Sequence, residues 1–138
     1  MDTNKATIGS RNRKRGFSYE CKIVKELKEI TGDEDICTSR SESKKLDDKK
    51  IDISDPNNTL PFYCQMKATQ ATPQIKKLNS EVGLKDKPLV IFWNAQEPKN
   101  KKQISVGEYC IIPKKLFYSM LKKYYVLEEE DRSTVDSN

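Results

Sequence analysis

The feature that most constrains the fold is an unbroken apolar run near the middle of the chain, Leu89–Trp93, which directly follows Pro88. A short run rich in β-branched and aromatic residues is typical of a strand that is buried on both faces of a sheet. Such a strand is stable only where other elements cover both faces. The sequence therefore predicts a central strand over Pro88–Asn94, in a sheet with helices packed on it.

Helical and alternating patterns surround this central strand. An apolar stripe at helical spacing predicts a first helix over Phe17–Thr31, with Gly32 as its stop; the stripe consists of Phe17, Cys21, Val24 and Leu27. Thr72 and Pro73 begin a second predicted helix, and Pro113 opens a third. The predicted strands are Asp35–Ser41, Ile51–Ser54, Leu60–Ala68, Pro88–Asn94 and Val106–Ile112. The order α-β-β-β-α-β-β-α indicates an α/β fold with a central mixed five-stranded sheet flanked by helices, in which the second and third strands form a hairpin.

Charge is distributed unevenly along the 138 residues, which fit one domain. Residues 1–14 are polar and basic and are expected to form a flexible arm, residues 15–127 a single domain, and residues 128–138 an acidic disordered tail. The net charge of +5 therefore conceals a basic arm, a basic body and an acidic end. Such a surface serves solubility, or it binds a polyanion such as nucleic acid, and net charge alone leaves both interpretations open.

The chain contains no histidine, and this excludes several classes of enzyme. Serine-triad hydrolases and metal sites with histidine ligands are removed together. The four cysteines contain no CxxC pair and lie in apolar stretches, so we expect reduced, buried thiols. No apolar leader or membrane-length stretch is present, which favours an intracellular, cytoplasmic protein (the host cytoplasm if a phage encodes it).

Four polar residues fall where a sheet enzyme places its chemistry. Glu20 lies on the apolar stripe of the first helix, Asp52 lies in the second strand, and Gln65 and Lys67 share one side of the third strand. Oxygen ligands of this kind suit Mg²⁺, and a neighbouring lysine can orient water and offset phosphate charge. Each residue also has a simpler explanation, as a salt-bridged rim acid, a turn residue, a polar face residue or a surface lysine. Their order and spacing favour a site for phosphodiester hydrolysis.

These residues stand in a pattern that resembles the PD-(D/E)xK nuclease superfamily, most specifically its archaeal-type Holliday junction resolvase branch. The similarity covers roughly residues 13–125. The matching segments are Arg15–Glu20, Thr38–Ser43, Ile51–Ile53 and Gln65–Thr69, followed by Gln74, Leu78 and the strand Leu89–Trp93. The resemblance implies a restriction-endonuclease-like fold and a Holliday junction resolvase that acts as a homodimer in DNA recombination and repair.

The resemblance also implies roles for individual residues. Glu20, Asp52, the Gln65 side-chain oxygen and the Met66 carbonyl would hold Mg²⁺, with Mn²⁺ as a substitute. Lys67 would position the attacking water, leaving a 5′-phosphate. Ser41 or Ser43 would contact the scissile backbone from a loop. The residues expected to bind DNA are Arg11, Arg13, Lys14, Arg15, Arg40 and Thr69.

Two departures from the family pattern keep other functions open. Gln65 stands where the family usually has glutamate, so the site holds one negative charge fewer. The run Lys44–Lys50 stands where resolvases tend to have glycines. The alternatives are a restriction-like, nicking or repair nuclease of the same fold, and a non-catalytic DNA-binding module.

Overall fold

The structure, a computed structural model, describes residues 3–42 and 44–136, and the side chains of residues 9–40 and 45–132. Ten elements follow one another along these residues. They are α1 (Thr3–Thr31), β1 (Cys37–Thr38), α2 (Ser39–Glu42), α3 (Lys44–Asp48), β2 (Ile53–Ser54), β3 (Tyr63–Thr69), α4 (Ile75–Glu81), β4 (Leu89–Lys99), β5 (Lys102–Ile111) and α5 (Lys114–Asp136). Apart from the two short helices α2 and α3, this is the predicted order.

The strands form two sheets, so the prediction of one five-stranded sheet is wrong. The larger sheet has the order β3-β4-β5, with β3 parallel and β5 antiparallel to β4, and the smaller one is the antiparallel pair β1-β2. The fold is therefore mixed α/β, and β4 is the middle strand of the larger sheet, as its apolar run predicts.

The turn after β2 explains why β2 and β3 do not form the predicted hairpin. The Asp55 carboxylate accepts hydrogen bonds from the N–H groups of Thr59 (3.0 Å) and Leu60 (2.7 Å). This wide turn leads the chain away from β2, which pairs with β1 instead. A backbone hydrogen bond from Asp52 N–H to the Cys64 carbonyl (3.0 Å) still ties the segment before β2 to β3. The two sheets are joined at the position where Asp52 lies.

Apolar residues cover both faces of the larger sheet over β3 and β4, whereas β5 is mostly exposed. On one face, α1 packs its buried residues against Cys64 and Met66 of β3. On the other face, Leu78 of α4 packs near Leu89 and Ile91 of β4. Because alternate residues of a strand point to opposite faces, β3 and β4 contribute to both clusters. The sheet is thus fixed between α1 and α4.

Both terminal segments are helical where the structure describes them. Helix α1 begins at Thr3 and so includes residues 3–14 of the predicted arm, and α5 continues through residues 128–136 of the predicted tail. Neither segment contains proline, and both are rich in Lys, Arg, Glu or Ala, which have high helix propensity. A helix that packing has nucleated extends readily through such residues.

The basic segment between the last two strands is a tight hairpin turn and not an open loop. Strands β4 and β5 pair up to Lys99 and Lys102, and Asn100 and Lys101 between them both have positive φ, at 52° and 65°. Two consecutive residues of this kind are typical of the two-residue turns that match strand twist. The hairpin therefore carries its lysines at a fixed tip.

The cysteines are less buried than predicted. Cys64 is buried and Cys37 is half-buried, whereas Cys21 and Cys110 are exposed. The buried side of the first helix contains Tyr19 and Ile23, and Cys21 lies on its exposed side.

In the described part of the chain, no helix combines the length and apolarity that a bilayer crossing requires.

Candidate functional site

A cleft of about 1090 Å³ opens between the N-terminal half of α1, the end of β3 and the hairpin tip. Three of the four polar residues predicted to form the site line it, namely Glu20, Asp52 and Lys67, together with Met66. Half of the remaining lining residues are basic, and the others are polar or small. These remaining residues are Arg11, Asn12, Arg13, Arg15, Gly16, Arg40, Ala68, Thr69, Gln70, Lys101, Lys102 and Gln103. The fold thus brings acidic residues together inside a basic rim.

Glu20 reaches the cleft from the buried side of α1, where only 3% of its surface is exposed. One carboxylate oxygen, Oε1, accepts a hydrogen bond from the Arg40 guanidinium at 3.0 Å. The same guanidinium lies 5.7 Å from the centre of the Phe17 ring, which holds it over α1. The other oxygen, Oε2, is buried and has no hydrogen-bond partner among the described residues. Glu20 therefore keeps one acceptor available.

The sequence predicts that Asp52 lies within the second strand, but it lies immediately before β2. Its position is nevertheless fixed by hydrogen bonds. Its Oδ2 accepts a hydrogen bond from Met66 N–H at 2.9 Å, and its backbone carbonyl accepts one from Ser39 N–H at 2.9 Å. These contacts tie the segment that carries Asp52 to β3 on one side and to the start of α2 on the other. Asp52 is thereby fixed beside the strand that carries Lys67.

Burial raises the pKa of both carboxylates, and the negative charge of Asp52 raises that of Glu20 further. The pKa of Glu20 is raised to about 7, by burial first and then by the negative charge of Asp52, against the opposing effect of Arg40. Burial also raises the pKa of Asp52, while the Met66 N–H and the positive charges of Lys67 and Arg40 act in the opposite direction. Two carboxylates that repel each other in this way stand ready to accept a cation.

Gln65 is not among the residues that line the cleft, although it is on the same strand as Lys67. Its side chain is buried, and its Nε2 donates a hydrogen bond to the Lys50 carbonyl at 2.6 Å. Its Oε1 is buried without a hydrogen-bond partner among the described residues. The amide is therefore oriented by its nitrogen, and the oxygen is left for another ligand.

The donor set fits a hard divalent cation by its chemistry. Mg²⁺ takes oxygen ligands and is commonly held by one or two carboxylates together with water and phosphate oxygens. The unpartnered oxygens of Glu20 and Gln65 and the repelled pair Glu20 and Asp52 are of this type. Among the described residues there is no group of three or more His, Cys, Asp or Glu side chains placed to hold a metal. A cation at this site would therefore need amide, carbonyl or water oxygens besides its two carboxylates.

The residues predicted to bind DNA fall into three groups. Arg11, Arg13, Arg15 and Thr69 line the cleft, whereas Lys14 does not. Arg40 lines it as well, but its charge is paired with Glu20. The Thr69 hydroxyl donates a hydrogen bond to the Ala71 carbonyl at 2.8 Å. The basic wall on α1 is thus formed mainly by three arginines.

The two predicted serines cannot be placed in the cleft. Ser41 belongs to α2, but its side chain lies outside the described part of the structure, and so does the whole of Ser43. The expected contact of these serines with the scissile backbone stays a prediction.

The structure adds residues to the site that the sequence pattern did not single out. Lys101, Lys102 and Gln103 reach the cleft from the hairpin tip, opposite the arginines of α1 in the lining. Two consecutive lysines at a turn between two predicted strands are the signal in the sequence. The sequence does not show in which direction the hairpin projects, because that direction depends on the long pairing of β4 with β5.

Comparison of the chain with protein-family models, with curated proteins and with solved structures gave no match. The functional proposal below therefore depends on the geometry of the cleft.

Proposed function

We propose that the protein is a divalent-metal-dependent DNA endonuclease that acts on branched DNA, with the four-way junction as its preferred substrate. The observation that carries this proposal is the convergence of Glu20, Asp52 and Lys67 in one cleft whose rim is basic. Arginines and lysines on such a rim neutralise phosphates and position a nucleic acid without reading its sequence. The acidic pair within the rim then lies where a backbone phosphate would pass.

The residues of the cleft suit hydrolysis of a phosphodiester. Glu20 and Asp52 would hold Mg²⁺, which polarises a phosphoryl oxygen and lowers the pKa of water. The Lys67 ammonium is near enough to Asp52 to favour its ionised form, and it would offset charge that develops on the phosphate. Water oxygen would form the new bond to phosphorus as the bond to the 3′ oxygen breaks, leaving a 5′-phosphate and a 3′-hydroxyl.

The test compares cleavage of a labelled four-way junction with that of a linear duplex, each in Mg²⁺ or in EDTA. We expect symmetric cuts near the crossover in Mg²⁺, none in EDTA, and none with Asp52→Asn, which preserves shape but removes the charge. Asp48→Asn is the matched control, because Asp48 is exposed and lies outside the cleft. Equal cutting of linear duplex would instead indicate a nicking, restriction-like or repair nuclease.

A second candidate function, DNA binding without catalysis, is favoured by the arrangement of Gln65 and Arg40. The Gln65 amide is bound to a backbone carbonyl outside the cleft, and Arg40 already neutralises Glu20. In that case, the cleft would bind junctions in Mg²⁺ and in Mn²⁺ without cutting them. Such a result with properly folded protein would refute the nuclease and leave the binding module.

A further inference from the structure

Helix α5 carries an apolar stripe that the described residues of the chain leave exposed. Leu116 in its first turn is the only buried side chain among residues 114–132. The stripe, at helical spacing, consists of Phe117, Met120, Leu121, Tyr124 and Leu127, which are 39–61% exposed. With side chains of this size, the stripe exposes on the order of 500 Å². Monomeric proteins rarely expose more than a few hundred Å² in one apolar patch, so we expect a partner to cover this stripe.

The charges of α5 indicate which partner that is. Its first turn carries Lys114 and Lys115, its middle carries Lys122 and Lys123, and its C-terminal half carries Glu128, Glu129, Glu130 and Asp131 with Arg132. A second α5 laid antiparallel would place the basic first turn of each helix against the acidic segment of the other. A parallel arrangement would place like charges together. The helix is therefore electrostatically complementary to itself in the antiparallel orientation alone.

We propose that α5 is the dimer interface of this protein, and that it pairs antiparallel with α5 of a second copy about a two-fold axis. The axis passes near residue 122, the midpoint of the stripe, so that Phe117 of each copy comes opposite Leu127 of the other. Lys114 and Glu128, 14 residues or almost four turns apart, lie on nearly the same edge of the stripe and approach each other across the axis. The stripe, extended by lysine stems, comes close to the roughly 800 Å² per partner of a standard interface. This proposal does not depend on the nuclease function.

The first test measures oligomeric state by light scattering and sedimentation across 1–200 µM full-length protein (an experimental range chosen to span roughly the affinities of such interfaces). The wild type should be dimeric at the upper end. Tyr124→Asp should shift it to monomer, because it places a charge in the stripe. Val126→Asp is the matched control, since Val126 is 53% exposed but lies on the far side of the helix. A wild type that stays monomeric, or an equal effect of both variants, would overturn the proposal and leave the stripe to a different protein.

The second test distinguishes the antiparallel from the parallel orientation by charge reversal. Lys114→Glu with Lys115→Glu makes the first turn of α5 acidic, like the segment 128–131 that faces it in the antiparallel pair, and should raise the dimer dissociation constant by roughly tenfold or more. Adding Glu128→Lys and Glu129→Lys restores opposite charges across an antiparallel pair, so the fourfold variant should dimerise again. In a parallel pair, the double variant would merely exchange one like-charge contact for another. An unchanged dissociation constant, or no recovery in the fourfold variant, would therefore contradict the proposed geometry. All of these side chains are on the surface of α5, and circular dichroism verifies that each variant keeps its helix content.

Discussion

Glu20 is the residue whose ionisation links the stability of the fold to the cleft. It is buried next to Asp52, and the single guanidinium bound to it does not compensate fully, so its pKa rises from an ordinary 4.5 to about 7. Between those two values the folded protein keeps a proton on Glu20 that the unfolded chain releases. The stabilisation is complete below pH 4.5 and is lost as pH rises through 7. The protein therefore loses stability as pH rises from about 4.5 to about 7, a range in which most proteins do not lose stability.

We predict that Glu20→Gln removes this pH dependence. In EDTA, the free energy of unfolding of the wild type should fall by about 2–3 kcal/mol from pH 5 to pH 8 because of Glu20, and the variant should lack this component. Urea unfolding at the two pH values measures it. Glu29→Gln, at an exposed position of the same helix, is the control and should retain the wild-type dependence. An identical fall in the Glu20 variant would show that Glu20 does not titrate in this range.

Gln65 leads to a second prediction at the residue scale. In Gln65→Glu, the donor that faces the Lys50 carbonyl becomes a buried, negatively charged acceptor. We expect the variant to lose about 1–3 kcal/mol of unfolding free energy at pH 8 in EDTA, and less at pH 5, where a protonated glutamate can donate again. Gln103→Glu, which is exposed, should change stability by less than about 0.5 kcal/mol.

The metal dependence of the same variant tests whether Gln65 is a ligand. If its unpartnered oxygen contacts the cation, the added charge should lower the Mg²⁺ concentration required for half-maximal cleavage. A variant that folds but keeps the wild-type Mg²⁺ dependence would place Gln65 outside the ligand set, and its amide would be purely structural.

At the scale of elements, two of them form the basic walls of the cleft: α1 through its arginines and the β4-β5 hairpin through Lys101 and Lys102. The tight turn fixes the tip of the hairpin, and the long β4-β5 ladder below it, with a register shift between Ala95 and Gln96, supports the tip. A nucleic acid that enters the cleft would contact phosphate-binding residues on both sides. Loss of either wall should therefore weaken binding regardless of sequence.

We predict that Lys101→Gln with Lys102→Gln weakens DNA binding and reduces its salt dependence. If both lysines contact phosphates, the slope of log K against log salt should become shallower by about 2. Fluorescence anisotropy with labelled junction and duplex at several salt concentrations measures the slope. Lys76→Gln with Lys77→Gln is the matched control, because these are exposed neighbouring lysines on α4, outside the cleft. The same change of slope in both pairs would mean that the hairpin has no particular role.

Helix α1 shows how far an element can be predicted from its periodicity. The predicted stripe of Phe17, Cys21, Val24 and Leu27 is correct for the last two residues, but Phe17 is 42% exposed and Cys21 is exposed. Tyr19 and Ile23 are buried in their place. The buried stripe is therefore rotated slightly around the helix relative to the predicted stripe, and Glu20 lies within both. The burial of Glu20 could therefore be predicted, whereas its neighbours could not.

At the scale of the whole molecule, positive charge gathers at the cleft and negative charge at the far half of α5. The formal total of +5 describes neither region. Buried Glu20 and half-buried Asp52 both have raised pKa values, so the folded state without a cation carries a local electrostatic penalty. A cation that binds only the folded protein should relieve it and stabilise the whole molecule by mass action.

We predict that Mg²⁺ raises the melting temperature of the wild type by about 4–6 °C at ten times its dissociation constant. The shift should be absent in Asp52→Asn and present in Asp48→Asn. Differential scanning calorimetry in EDTA and in increasing MgCl₂, at constant ionic strength, measures it. An equal shift in wild type and Asp52→Asn would assign the effect to ions bound elsewhere on the surface.

The sequence by itself determined the order of the long elements, the central place of β4 and the burial of Glu20. Each of these depends on which side of a helix or strand is apolar, and periodicity records that directly. Only the tertiary structure decided how the strands divide into two sheets, that Arg40 pairs with Glu20, that Gln65 binds the Lys50 carbonyl, and that the hairpin tip reaches the cleft. These contacts join residues 15 or more positions apart, and they depend on turn directions and side-chain geometry that a local pattern of polarity does not contain.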